Sequence, residues 1–344
     1  MKYGYVRAYD NSSINSFSFV KSSNNPNLVL TGGGNDYEIK LFRLESPKED
    51  QTEVCKDGPM RVFPKIHSNS INALDCAQAG YVFVSSSNDQ IVVVDMVTQK
   101  KLYSVSNLPM KKAQDDDESL SLTQSSHARD EVLDCKFLTD DLVASCGVNH
   151  HLNMFDLRQS RKAPVFSVNM GDDNLNSLGF NTVSDGQDYT ITQVSVGSSN
   201  GNLYSIDIRK QQLITDPFED FGSIVDVYRE GSNRSVLTFD NGEVVLFNIE
   251  NSTTESHFNI GKKLNYKMNA EIIKSYVLRG TDEGTVELNR LNGDVFEKME
   301  IFSQLAPTDS AGRILNIVRY QDELNRVVST SGNGIIHIWD DIPI

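Results

Sequence analysis

One recurring phrase limits what this chain can fold into. Near its end, VVSTSGNGIIHIWDD reads as a strand, small residues, a tight turn, a second strand and a closing pair, Trp339-Asp340. The phrase returns upstream with closes at Phe42-Arg43, Val94-Asp95, Phe155-Asp156, Ile206-Asp207, Phe247-Asn248 and Asn289-Arg290, seven copies in 344 residues. Successive closes lie 52, 61, 51, 41, 42 and 50 residues apart. A unit repeating at this period cannot bury its apolar surface alone and must stack on its neighbours, so the copies form one array.

Seven residues before each close stand Asp36, Asn88, Asn149, Asn200, Asn241, Glu283 and Asn333, four of them followed by Gly201, Gly242, Gly284 and Gly334. Asn-Gly between alternating runs predicts a type I′ hairpin, whose two central residues need positive φ. A further strand precedes each hairpin (INSFSF, INALDC, VLDCKF, LNSLGF, IVDVYR, YKMNAE, ILNIVR), and a fourth follows, as in KLYSVS (Lys101–Ser106) and APVFSV (Ala163–Val168). This pattern predicts an all-β fold, a single seven-bladed WD-repeat β-propeller spanning 1–344. The blades fall at about 11–46, 66–106, 127–169, 174–216, 222–260, 265–301 and 312–341, with polar insertions at 47–65 and 107–126. The last blade lacks its fourth strand, and KYGYVRAY (Lys2–Tyr9) is spare. That N-terminal strand is expected to join the last blade and close the ring, which removes the exposed edge.

In the idealised repeat, a His before the inner strand bonds the turn Asp and, through Ser or Thr, the Trp. Only His67 and His127 stand where that His belongs, their turn residues are Asn88 and Asn149, and Trp339 is the chain's one Trp. His67, His127, Trp339 and Asp340 are therefore read as structural, and the buried polar network as mostly missing. The second residue of each inner strand should sit near the mouth of the central channel. Those residues are Asn15, Asn72, Leu133, Asn176, Val225, Asn269 and Asn316, five of seven being Asn. Asn is depleted in strands, so the enrichment needs a cause. Two are available: amides that bind an extended peptide or loop, or polar residues that solvate the channel mouth. Arg313, Tyr266 and Lys267 are candidates to add charged or aromatic contacts there.

Charge narrows the partner class. With 47 acidic against 32 basic residues, the net charge is −15 and the pI about 4.8. Broad phosphate contact needs clustered Lys and Arg, and the densest run is the short RQSRK at Arg158–Lys162, so RNA contact is at most indirect. An acidic body also disfavours anionic membranes. Cys55, Cys76, Cys135 and Cys146 show no CxxC spacing and read as reduced strand residues, which points to nucleus or cytoplasm. The N-terminus lacks the apolar core of a secretory signal. No phosphate loop, GxSxG elbow or HExxH motif occurs. Gly32–Gly34 falls in a repeat phrase, His150-His151 in a turn, and Asp115–Glu118 in a polar linker. The expectation is a monomeric propeller with no catalytic residues, metal or cofactor, docking a peptide or loop of a multi-subunit complex.

Beyond the generic repeat, GSSNGNLYSIDIRKQQLITDPFEDFGSIVDV (Gly197–Val227) and NYKM (Asn265–Met268), followed by DEGTVE, carry a more particular likeness. Over about Ile14 to Asp340 the chain resembles the mitogen-activated protein kinase organiser family of WD-repeat proteins, whose members are also found as spliceosome-associated factors. Blade six departs from it by ending in Asn289-Arg290. The resemblance implies a non-catalytic scaffold in a late pre-mRNA splicing complex or, alternatively, in a MAP kinase cascade. An acidic rim suits the basic tails of ribonucleoprotein partners, which favours splicing. A third possibility is a substrate adaptor of a cullin ubiquitin ligase. Phe155-Asp156-Leu157-Arg158 and Ile206-Asp207-Ile208-Arg209 resemble the Asp-x-Arg box of such adaptors.

Overall fold

The computed structural model describes residues 2–10, 12–21, 26–48, 52–55, 57–63, 66–88, 90–106, 131–159, 163–185, 188–230, 233–259, 269–281, 284–292, 295–303 and 315–342. Among them, strands form seven sheets arranged as a propeller, six with their strands in chain order from the inside outward and the last completed from the N-terminal part of the chain. The inner strands are Ile14–Phe19, Ala73–Cys76, Val132–Thr139, Leu175–Asp185, Ile224–Glu230, Ala270–Ile273 and Leu315–Gln321. Second and third strands such as Val82–Ser86 and Glu243–Asn248 are buried almost end to end. Neighbouring blades cover both faces, so these strands read as apolar runs rather than as alternating ones. The core lies between blades, in seven apolar clusters, one at each blade–blade interface. No blade owns a core, so each depends on two neighbours. No helix among the described residues is long and apolar enough to cross a membrane.

The ring closes as the spare strand implied. Lys2–Arg7 pairs antiparallel with Ile335–Asp340, Tyr3 opposite Trp339 and Arg7 opposite Ile335. The Tyr9 hydroxyl then reaches into blade 1, donating to the carbonyls of Thr31 (3.0 Å) and Glu38 (3.1 Å). Ala8 and Tyr9 N–H groups both bond the Gly334 carbonyl, so the backbones approach too closely there for a Cβ on Gly334.

Three expectations need correction. The hairpin turns are not type I′. Gly201, Gly242 and Gly334 have φ of 77°, 87° and 79°, while Asn200, Asn241 and Asn333 keep negative φ. Each glycine N–H bonds the carbonyl three residues back, as Gly334 does to Ser331. These are type I turns ending on a left-handed residue, a three-residue loop that also suits strand twist. Second, the stretch 47–65 is not only insertion. Arg61–Phe63 is the outer strand of blade 1, and Thr52–Glu53 adds parallel to Lys2–Arg7 on blade 7. Polarity hid these strands because outer edges face water.

Third, buried polar networks are present, built from other residues. His67 Nε2 bonds Ser85 Oγ at 2.8 Å, but its Nδ1 has no partner among the described residues, in keeping with Asn88 in the turn. In blade 7, Tyr3 Oη bonds His337 Nδ1 at 2.8 Å, and His337 Nε2 bonds Ser331 Oγ at 3.3 Å. The His337 ring packs against both Tyr3 and Trp339, with centroids 6.1 and 5.9 Å away, and those two rings stand 5.5 Å apart. In blade 4, Asp173 accepts from Tyr204 (2.5 Å), Asn202 (2.8 Å), Ser198 (3.1 Å) and Asn200. Burial alone would raise the Asp173 carboxyl, but these four donors hold it below its usual range. Asp340 pairs with the fully buried Arg326, at 2.5 and 3.0 Å. The same guanidinium donates across the blade 7–blade 1 boundary to the Leu44 carbonyl (2.9 Å), Asn27 Oδ1 (3.1 Å) and Ser46 Oγ (2.9 Å). His127 lies outside the described residues.

Two outcomes follow. Removing one partner of a buried ion pair costs about 3–5 kcal/mol, so Arg326→Ala should lower the urea-unfolding free energy by that much. Burial also depresses His337 to about 3 and His67 to about 4. Below pH 6.5 the unfolded chain takes up protons at these rings that the folded ring refuses, so stability falls as pH drops through that window. Urea midpoints at roughly pH 7 and pH 4.5 should show the loss, up to about 1.4 kcal/mol per pH unit for each ring. His337→Gln should flatten part of that slope.

Candidate interaction surface along the central channel

An inner strand has one edge without a neighbouring strand. Its N–H and C=O groups face the channel, where an unpaired group is costly. The structure meets these groups with side chains sent forward from the preceding blade. Ser16 Oγ accepts the Leu74 N–H (2.9 Å), Asp75 Oδ2 the Phe137 N–H (3.0 Å) and Asp134 Oδ2 the Leu178 N–H (2.8 Å). Ser177 Oγ accepts from Val227 (3.1 Å), Asn269 Oδ1 from Val318 (2.7 Å) and Glu271 Oε2 from Tyr320 (3.1 Å). Carbonyls are met likewise: Asn72 Nδ2 donates to Val132 O (2.9 Å), Asn176 to Ile224 O (2.8 Å) and Asn269 to Val318 O (2.8 Å).

This explains the asparagines. In five blades the register shifts near the start of the inner strand, and the residue skipped is Asn15, Leu133, Asn176, Val225 or Asn316. These are β-bulges, where the extra residue leaves the ladder and its side chain is re-aimed. Asn72, which precedes the first ladder pair of blade 2, takes the corresponding place. Asn269 stands one position further along. The residue five before the turn glycine pairs with Leu178, Val227, Val318 and Ala270 in their respective blades, so Asn269 aligns with Ser177 and Asp226.

Asn15, Asn72 and Asn269 line the neck of the channel with Asp134, Lys136, Asp226 and Arg319. The neck encloses about 50 Å³, room for one or two waters at roughly 30 Å³ each, so no peptide threads it. At the far ends of the inner strands the channel widens to about 280 Å³, near the lower end of ligand-sized cavities, roughly 300 Å³. Phe19, Phe180 and Tyr228 wall this mouth, and Lys21, Lys136, Arg229 and Arg319 enter it from blades 1, 3, 5 and 7. Asp75 is the one carboxylate among its lining residues, and it pairs with Lys21 at 3.2 Å. Burial lowers the Arg229 guanidinium to about 10, still charged at neutral pH. Beside Arg319, burial pushes the Glu271 carboxyl up to about 7 against the pull of that guanidinium and of the Tyr320 N–H.

The sequence-derived residues thus divide. Asn15, Asn72 and Asn269 come together at the neck, and Asn176 is bonded to Ser223 and Ile224. Leu133 and Val225 are half-buried bulge residues. Asn316 lies on an inner strand, its side chain outside the description, and Tyr266, Lys267 and Arg313 lie outside the described residues. The mouth cations were missed. Their signal was present: Lys136 and Arg319 stand three residues after Leu133 and Asn316, Lys136 with Asp134 in VLDCKFLT and Arg319 as the one charge in LNIVRYQ. Among the described residues no group of three or more His, Cys, Asp or Glu could hold a metal ion.

No family model and no curated protein sequence matches the chain.

Because the amides of Asn72, Asn176 and Asn269 bridge blades, Asn→Ala at each should cost stability of about 1–2 kcal/mol, read from urea midpoints. A residue serving only a partner would leave the midpoint unchanged.

Proposed function

We propose that this propeller is a non-catalytic platform that holds subunits of a multi-protein assembly, and that the assembly is a late pre-mRNA splicing complex. A seven-bladed β-propeller fits an interaction scaffold, and one observation carries that reading here. Along the channel the cavity is about 50 Å³ at the neck and about 280 Å³ at a walled, charged mouth, a shape that suits a segment entering from the mouth. The choice of splicing rests on the resemblance of Gly197–Val227 and neighbouring segments to spliceosome-associated WD-repeat proteins. An acidic body supports it by attracting basic ribonucleoprotein partners and repelling bare RNA. The adaptor reading gains less support. Arg158 of one Asp-x-Arg box is exposed, but its guanidinium is held by its own Asp156 at 2.9 and 2.8 Å, an ordinary strand-end arrangement.

Affinity purification of the full chain, with mass spectrometry and RNA quantification, should recover splicing proteins together with excised-intron RNA. Recovery of kinases, or of a cullin adaptor lost on Arg158→Ala with Arg209→Ala, would replace the splicing assignment and leave the platform. Recovery of no protein partner would overturn both.

A further inference from the structure

We infer that the wide mouth of the channel receives an acidic, extended segment of a partner protein, its carboxylates meeting Lys21, Lys136, Arg229 and Arg319 and an apolar side chain resting on Phe19, Phe180 and Tyr228. The inference rests on the platform reading and names the chemistry of what docks at this one surface.

Charge is the first argument. The chain carries an excess of acidic residues, 47 against 32. The lining of the mouth reverses that sign, with four cations to one carboxylate, while behind the wall Asp134 stands 3.7 Å from Lys136 and Glu271 lies beside Arg319. Asp75 is itself occupied, accepting from Lys21, Ser18 and the Phe137 N–H. Distant surface acids do not cancel the reversal, because their field decays over about 8 Å at physiological salt. A concave, low-dielectric mouth concentrates the field of the cations within it.

Spare donors are the second argument. Arg319 lines both neck and mouth, yet its Nη1 is buried with no hydrogen-bond partner among the described residues. Glu271, an acidic neighbour of Arg319, already accepts the Tyr320 N–H. A buried guanidinium N–H without an acceptor is costly, and a carboxylate entering from the mouth supplies one. Lys21 sits at the lip with its side chain 37% exposed, open to a second carboxylate.

Spacing selects the source of negative charge. The four cations come from four different blades, 1, 3, 5 and 7, so they stand around the opening. A single phosphate prefers a converging cluster of donors. Several single charges along an extended chain suit a ring. The neck stops that chain after the mouth, so its apolar side chain must lodge among the aromatic walls. The same face continues outward as exposed apolar surface. Tyr81, Val97 and Met60, at 51%, 61% and 53% exposure, lie in loops at the ends where the inner strands finish.

The test is fluorescence anisotropy on the full chain with a fluorescein-labelled peptide of about twelve residues, rich in Asp and Glu around one Leu. The same peptide with Asn and Gln for Asp and Glu, and a neutral peptide bearing one phosphoserine, serve as comparisons. The acidic peptide should bind, more weakly as salt rises, and the amide form should not. Lys21→Gln and Arg319→Gln should each weaken it about fivefold or more, whereas Lys210→Gln, on blade 4 away from the mouth, should not. Lys21→Gln at the lip answers the question even if Arg319→Gln unfolds. Equal binding of the amide form, preference for the phosphopeptide, or indifference to Lys21→Gln would overturn the inference. Full-length Lys21→Gln used as bait separates the two readings. If it retains the partners while the acidic peptide fails to bind, the platform stands and the mouth assignment falls.

Discussion

The inner strand's unpaired edge is the constraint around which the ring is organised. Seven inner strands converge on a space too narrow for an eighth element, so no strand or helix is available to take their outward-facing N–H and C=O groups. Side chains from the preceding blade take them instead, and each does so only if the neighbour is in register within a few tenths of an ångström. Ser16, Asp75, Asp134, Ser177, Asn269 and Glu271 all send their oxygens forward to the next blade. Ser16, Asp134 and Ser177 each follow directly on a β-bulge, whereas Asp75 and Glu271 lie on strands paired in unbroken register and Asn269 directly precedes one. The apolar clusters between blades supply attraction without direction, and the forward hydrogen bonds supply the angular register.

A ring whose parts each lean on two neighbours has no stable open form, and the two chain ends bear the closing contact. The closure is covered in layers. Backbone pairing joins Lys2–Arg7 to the last strand, and the stacked rings of Tyr3, His337 and Trp339 lie over that pairing. Arg326 fastens the closed blade to blade 1 through Asn27, Leu44 and Ser46. Arg326 is fully buried, yet its donors are distributed over five acceptors, which offsets the large desolvation cost of the charge. Desolvation keeps His337 neutral for the same reason that Arg326 needs so many partners. Both sit where water is excluded.

Blade number, strand order and closure were legible in the sequence because they are encoded in period and alternation, which local sequence carries. Turn type was not. Asn-Gly is compatible with two hairpin geometries, and loop length decides between them only once the strands are paired. The Asn positions were found in the sequence, but the bridging of blades by Asn72, Asn176 and Asn269 was not among the causes offered for them. The residues share a bulge, a feature of pairing register that no single strand reveals. Asn269 joined the set by a one-residue miscount, because it aligns with Ser177 and not with Asn176. Nothing in the local sequence around Arg326 and Asp173 marks them as buried. Their burial is a property of the blade boundary, made by residues as far apart as Asn27 and Asp340.

The two halves of the channel divide labour by position along the same seven strands. At the neck, polar side chains are consumed in holding blades together, so a ligand there would have to break the bonds that set the register. Past the neck the strands diverge, and the wall carries donors beyond those the fold uses: Arg319 Nη1 has no partner among the described residues, and Lys21 is 37% exposed beside Asp75. Binding at the mouth therefore adds acceptors without removing any from the blade contacts. The acidic exterior sharpens the choice of what arrives. A uniformly basic partner is drawn to the body and finds no welcome in the channel, and a uniformly acidic one is held off by the body. A segment with acidic residues at its tip, carried on a neutral or basic partner, satisfies both fields at once.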